Sequence, residues 1–273
     1  MFASAFSFSA SKRIAYRWVS PGIFLLLGVI FGSQVSLHAY QFSSILNHPD
    51  LKTFRHWNTK KKEVTGYTRV NYNSSPDGRY IVEFSENMDR SKSIYSRRTL
   101  WFLKESGKLV KCEEIDYRTD LKIQSLYYKD RIQTTIWQED NKSEIDLEIL
   151  PDLVPFEVLS HFLRSNLNMI EEQGELAFTL YLPAIAFELS SKGLPKSLSQ
   201  VAMKATMEEK KKQDTSMGLI ETIIIRVEPT SFMVRALLPE DKRSFDFVFA
   251  AAEPSELIQF EEGETRTILS SIQ

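Results

Sequence analysis

The sequence predicts a mainly β protein: a single strongly curled antiparallel sheet or half-open barrel of about ten to twelve strands, packed around one central α-helix. Three observations favour this fold class. Turn residues recur at short intervals from residue 63 onward, the segments between them alternate apolar and polar residues, and one stretch in the middle of the chain has helical spacing. We also predict a hydrophobic helix at the N-terminus, ahead of the sheet.

Residues 1–39 differ in composition from the rest of the chain. They contain three basic residues and no acidic one, and their most apolar run spans residues 23–31. A basic segment followed by a short apolar run is typical of a secretory signal, with cleavage after Ala39. The alternative is an uncleaved anchor over residues 18–37, which has about the length that a bilayer core requires. Both alternatives predict an exported protein, either periplasmic or anchored in the inner membrane.

The remainder divides into three parts. Residues 40–62 are predicted to be a polar linker with a short helix near Pro49 to Trp57, residues 63–262 the β domain, and residues 263–273 a C-terminal tail. The absence of repeats or long linkers within 63–262 favours one domain, because all-β domains of this length are common.

The first half of the β domain has the pattern of a meander. Turns such as Ser75-Pro76-Asp77-Gly78 connect its segments, and connections this short need no helical crossover. Within Arg79–Glu86, Val82 and Phe84 share a face opposite Glu83 and Ser85, which predicts that the Phe84 face is buried. The predicted strands are Val64–Tyr72, Arg79–Glu86, Tyr95–Lys104, Leu109–Tyr117, Leu121–Tyr128, Arg131–Gln138 and Ser143–Ile149.

The central helix is predicted near residues 155–172. Pro155 suits a helix start, and apolar residues from Phe156 to Ile170 follow at helical spacing. We expect this apolar stripe to pack against the dry face of the meander. The strands predicted after the helix are Glu175–Leu182, Gln200–Glu208, Leu219–Glu228, Phe232–Leu238, Arg243–Ala251 and Glu256–Glu262.

The composition excludes several classes of protein. The 34 basic and 36 acidic residues give a net charge of −2, so no basic excess is available to neutralise the phosphates of a nucleic acid. Loss of residues 1–39 would leave a net charge of about −5. Cys112 is the only cysteine, which rules out an intramolecular disulfide and any Cys-rich metal site.

Catalytic and cofactor motifs are absent from the sequence. It contains no nucleophile elbow, zinc-protease, P-loop or dinucleotide-binding signature, so we predict no catalytic residue, no cofactor and no metal site. His48 and His56 with Asp50 are the nearest approach to a metal-ligand set, and a solvated loop is the preferred interpretation. His161 and Cys112 are interpreted as structural, and Glu114 and Asp116 as solvated strand surface.

The order of elements resembles that of uncharacterised exported bacterial proteins. More distantly, it is similar to the periplasmic lipoprotein carriers, in which a half-open sheet wraps a helix and holds acyl chains. The resemblance is carried by the meander, by Leu153-Val154-Pro155-Phe156 leading into the helix, by Phe178 to Tyr181 entering a strand, and by Phe245-Asp246-Phe247 followed by Pro254 and Leu257 to Phe260. The chain departs from the membrane-anchored carriers because it has no lipid-attachment cysteine after the apolar run.

Two hypotheses of function follow. In the first, the concave face binds a hydrophobic or lipid-like small molecule. Its pocket would be lined by Phe84, Trp101, Phe178, Tyr181, Phe245 and Phe247, for which ordinary core packing is the alternative interpretation. In the second, the core is filled and the protein binds other envelope proteins through its surface or sheet edges. No nucleic-acid partner is expected, an uncleaved N-terminus would contact the membrane, and an enzyme is the least favoured class.

Overall fold

One curled sheet of fifteen strands forms the body of the protein. The structure is a computed structural model that describes residues 51–183, 199–237 and 243–273, so the predicted N-terminal helix and the signal or anchor lie outside the described residues. The strands are β1 Lys52–Asn58, β2 Glu63–Ser74, β3 Tyr80–Asp89, β4 Ile94–Leu103, β5 Leu109–Asp116, β6 Leu121–Tyr127, β7 Arg131–Gln138, β8 Asn141–Glu148, β9 Leu153–Pro155, β10 Glu175–Tyr181, β11 Gln200–Thr215, β12 Gly218–Pro229, β13 Phe245–Ala250, β14 Leu257–Glu262 and β15 Thr265–Ile272.

The sheet is open, and its two edges are consecutive strands of the chain. The strand order runs from β8 down to β1, then from β15 down to β9. Each pair is antiparallel except β9 with β10, which is parallel. Because β1 pairs with β15, the first and last strands meet in the middle of the sheet. The mainly β, antiparallel fold is therefore confirmed, with more strands than predicted.

The helical segments that the structure describes are short. A 3₁₀ turn over Phe156–Val158 leads into α1 Leu159–Ser165, and α2 Leu167–Gln173 follows directly; α3 is Phe232–Leu237. Where one helix was predicted near 155–172, two seven-residue helices meet at Asn166, whose amide donates to the carbonyl of Phe162. Gly174, with φ of +80°, ends α2. None of these segments has the length and apolarity of a membrane-spanning helix.

The core lies between α1–α2 and the concave face of the sheet. The apolar side chains of the two helices are almost fully buried there, and the Phe162 ring packs on that of Phe178 with centroids 5.1 Å apart. The buried residues of these helices include Leu159, Phe162, Leu163, Leu167 and Ile170. The structure therefore shows the expected packing of the helical apolar stripe against the sheet.

Four local predictions are wrong. β1 occupies the region for which a polar linker with a short helix was predicted, and β15 occupies the predicted C-terminal tail. Residues Phe232–Leu237 form α3 instead of a strand. β3 also turns the other face inward: Glu83 and Ser85 are buried, whereas Val82 and Phe84 are half-buried on the outer face.

Candidate functional site

The interior carries charged side chains where α1 meets the sheet. Ser85 of β3 pairs with Arg98 of β4, and Arg98 pairs with Glu114 of β5, so these residues share the concave face. Glu83 lies on the same face and, like Arg98, is only 4% exposed. Burying charges is costly unless they are paired and hydrogen-bonded. This part of the interior is therefore specialised for polar interactions.

Glu83 and His161 join β3 to α1. The carboxylate oxygen Oε2 of Glu83 lies 2.7 Å from Nε2 of His161. Burial alone would raise the pKa of Glu83, but His161, Arg98 and the hydroxyl of Tyr72 outweigh it and lower this pKa to about 2. Glu83 is therefore ionised at every physiological pH.

A second ionic group surrounds Glu256, in the loop before β14. Nζ of Lys52 lies 2.5 Å from Oε2 of Glu256, and Nη2 of Arg164 lies 3.2 Å from its Oε1. His161 and Arg164 are three residues apart and so lie on one face of α1. Two polar contacts of α1 thus hold it to separate parts of the sheet. We call Lys52, Tyr72, Glu83, His161, Arg164 and Glu256 the helix–sheet cluster.

A small cavity borders the helix–sheet cluster. Its volume is about 50 Å³, enough for a few water molecules or a small polar group. Beside the charged residues and Ser160, it is lined by Phe54, Val70, Phe249 and Leu257. The lining is therefore amphipathic, with apolar side chains among the ionic groups; Val70, for example, pairs directly with Lys52.

Glu157 lies deeper in the interior, in the 3₁₀ turn before α1. Burial raises the pKa of its carboxyl to about 7, and nearby Glu114 adds to the effect, whereas its own backbone amide and Arg98 oppose it. Within the described part of the chain, Oε2 of Glu157 has no hydrogen-bond partner. Burial, followed by the charge of Glu157, also raises the pKa of the Cys112 thiol.

A chain of hydrogen bonds crosses four strands beside the cluster. His56 Nε2 lies 2.6 Å from the hydroxyl of Thr68, Thr68 donates to Asn87 at 2.6 Å, and the Asn87 amide donates to Ser96 at 2.8 Å. Burial lowers the pKa of His56 to about 4, so the imidazole is neutral near pH 7. His56 thus faces the interior, while His48 and Asp50 lie outside the described residues. The described ranges contain no His, Cys, Asp and Glu grouping that could hold a metal ion.

The structure divides the six predicted pocket residues between two faces. Four of them, Phe178, Tyr181, Phe245 and Phe247, are buried in the core. Phe84 and Trp101 are half-buried on the outer face instead, where the Arg97 guanidinium lies 5.8 Å from the Phe84 ring centre and Nζ of Lys111 lies 4.4 Å from that of Trp101. None of the six lines the cavity described above. Their role in ligand binding stays a prediction.

The residues of the helix–sheet cluster were missed by sequence reasoning. A usable signal was present in α1, since His161 and Arg164 interrupt an otherwise apolar stripe at spacing i and i+3. Asp116, expected on solvated surface, is 6% exposed and receives hydrogen bonds from the backbone and guanidinium of Arg118. Glu114 is half-buried on the inner face.

Comparison with known proteins identifies the fold. No protein family model matches the sequence, and no curated protein does. A solved structure of a β-barrel-like protein of the domain of unknown function DUF1849, from Brucella abortus, superposes with a TM-score of 0.51 at 10% identity, covering 82% of this chain and 97% of that protein. The chain shares its fold with this DUF1849 protein.

A second solved structure belongs to a protein from Bacteroides fragilis described as exported, with a YmcC-like fold. Its TM-score is 0.36 at 9% identity, over 86% of this chain and 99% of that one. The DUF1849 structure confirms the resemblance to uncharacterised bacterial proteins of this architecture. The more distant resemblance to lipoprotein carriers stays a prediction.

Proposed function

We propose that the protein is exported to the cell envelope and binds a small amphiphilic molecule between α1 and the concave face of the sheet. The observation that carries the proposal is the helix–sheet cluster around an amphipathic cavity. Export is supported by the basic, acid-free segment and the apolar run of residues 1–39.

The energetics of the interior support a binding role. Replacing a whole buried ion pair by well-packed apolar residues is often neutral or stabilising, whereas removing one partner alone is costly, so stability by itself does not explain why charged residues rather than apolar ones occupy these positions. Buried charged groups that converge on a cavity are characteristic of ligand sites. The polar group of a ligand would pair with the ionic residues of the lining, and its apolar part would contact Phe54 and Phe249.

The size of the cavity sets the geometry of binding. At about 50 Å³ it accepts a few atoms, well below the volume of a typical ligand pocket. A ligand with an acyl chain would therefore need α1 to move away from the sheet. Such a movement would expose Phe162 and Leu163. The acyl chain of the ligand would then replace these two side chains against the sheet.

The test is recovery and binding of ligand. Native mass spectrometry of the purified protein is expected to show a bound small molecule that organic extraction releases. A fluorescent fatty acid should bind the wild type, and Val70→Phe, which places a ring in the cavity, should abolish binding. Val82→Phe, on the outer face of β3, is the matched control and should bind normally. Absence of both extracted ligand and fatty-acid binding would refute the proposal.

The alternative function is that of an envelope interaction protein with a filled core. It is favoured by β8, which pairs only with β7 among the described strands and so offers a sheet edge to a partner strand. A photo-crosslinker at Glu144 of β8 should give an adduct of defined mass in cells, whereas one at Glu105, in the turn after β4, should not. Identical patterns from the two positions would set this function aside.

A further inference from the structure

The end of the sheet at which the chain enters β1 is fixed by the pairing of the two terminal strands. The backbone N–H of Leu51 donates to the carbonyl of Gln273 at 3.0 Å, and that of Gln273 donates to Leu51 at 2.9 Å. We call this the Leu51 end. Since the neighbouring strands alternate in direction, the turns β2–β3, β4–β5, β6–β7, β11–β12 and β13–β14 also lie at this end.

Exposed apolar side chains concentrate at the Leu51 end. Leu219 and Met217, at the tip of the β11–β12 hairpin, are 70% and 42% exposed. Ile272 of β15, Tyr128 of the β6–β7 turn and Leu150 beyond β8 are also exposed there. By contrast, Tyr117 and Phe232 are the large apolar residues exposed at the opposite end of the described sheet. Five of the seven exposed large apolar residues of the described chain thus lie at one end of the strands, which points to an interaction site there.

The hairpin tip is held beside the entering chain. The hydroxyl of Ser216 donates to the carbonyl of Leu269 at 2.6 Å, and Leu269 pairs with Phe54 of β1. Met217 and Leu219 are therefore presented close to the point where residue 51 joins the sheet. The exposed hairpin tip therefore lies near the segment of the chain that precedes residue 51.

The sequence before Leu51 indicates what the exposed surface at this end binds. The apolar segment 18–37 is separated from Leu51 by residues 38–50, which reach at most about 45 Å when fully extended. A bilayer that holds residues 18–37 therefore lies within that distance of the Leu51 end. We propose that the Leu51 end docks on a lipid bilayer, with Met217 and Leu219 entering its interfacial region. The inference rests on the export proposed above with residues 18–37 retained as an anchor, and it is independent of any ligand.

Charge does not drive this docking. The turns at the Leu51 end contain the basic residues Arg79, Lys104, Lys108 and Lys129 together with the acidic residues Asp77, Glu105, Asp130, Asp214 and Glu253. Anionic lipids would therefore gain no net electrostatic attraction from this surface. Apolar insertion of the hairpin tip, aided by the tether, would provide the contact.

The test places a reporter at each end of the full chain. Leu219→Cys and Phe232→Cys variants would be labelled with a polarity-sensitive fluorophore, while Cys112, 1% exposed, stays unlabelled in the folded protein. In vesicles of phosphatidylethanolamine and phosphatidylglycerol that contain brominated lipid, the fluorophore at position 219 should shift to the blue and be quenched. The fluorophore at position 232 should remain unquenched.

Equal quenching at the two positions, or none at position 219, would overturn the docking surface. Met217→Cys provides a second reporter at the hairpin tip if Leu219→Cys fails to fold, and it should behave in the same way. Fatty-acid binding by these variants should equal that of the wild type, because their positions lie outside the cavity lining. Failure of docking is thereby separated from failure of the proposed function.

Discussion

Replacement of Glu83 by Gln is expected to destabilise the protein strongly. The folded structure lowers the pKa of this carboxyl from 4.5 to about 2. Each pKa unit corresponds to about 1.4 kcal/mol, so the ionised group contributes about 3 kcal/mol to the free energy of unfolding near pH 7. A loss of this size agrees with the cost of removing one partner of a buried ion pair, about 3–5 kcal/mol.

The sign of the pH dependence follows from the lowered pKa. The contribution of Glu83 is present above the unfolded-state pKa of about 4.5 and is lost as pH falls through about 2. The difference between the wild type and Glu83→Gln should therefore be full at pH 7 and about half as large at pH 3. Urea unfolding followed by circular dichroism measures both values.

The matched control is Glu144→Gln. Glu144 forms a surface ion pair with Lys142, and its side chain is 71% exposed, so no measurable change is expected. If Glu83→Gln were as stable as the wild type at pH 7, or if the difference did not shrink on acidification, the pairing of Glu83 with His161 would not hold α1 to the sheet as described.

Three further perturbations test other parts of the interior. Because the folded state raises the pKa of Glu157 to about 7, the stability of the wild type should decline as pH rises from about 4.5 through 7, and Glu157→Gln should abolish that part of the decline in urea titrations. Gly66→Ala should lower the free energy of unfolding by about 1–3 kcal/mol in thermal melts, because the added Cβ would lie 2.3 Å from the carbonyl oxygen of Met88; an unchanged melting temperature would contradict this close approach. Cys112, with its buried thiol of raised pKa, should react with a thiol reagent only at the rate of unfolding, and rapid labelling of the native protein would count against its burial.

The meander was predictable because it depends on local information. Turn residues and period-2 alternation placed β2 to β8 within a few residues of their positions, since each strand pairs with its neighbour in sequence. β15 was missed although it forms a hairpin with β14 across the turn at Gly263-Glu264, which is a local signal. Its second pairing, with β1, joins strands more than 200 residues apart in sequence and could not be predicted from local patterns.

The inward face of β3 shows why the site escaped prediction. Alternation in Arg79–Glu86 allows either face to be buried, and the more apolar face is the ordinary choice. Here the more polar face of β3 is buried, because Glu83 pairs with His161, which lies 78 residues further along the chain. A contact between residues this far apart in sequence cannot be predicted from local alternation. The polar residues within the apolar stripe of α1, by contrast, were a local signal.

The meeting of β1 and β15 in the middle of the sheet governs the order in which the molecule can assemble. Of the described strands, β15 is the last to be synthesised, yet it connects the two halves of the sheet, β1 to β8 and β9 to β14. Until β15 is made, β1 has an open edge that can recruit strands from other nascent chains. Completion of the sheet must therefore await synthesis of β15, and a chain truncated before β15 presents two half-sheets prone to aggregation.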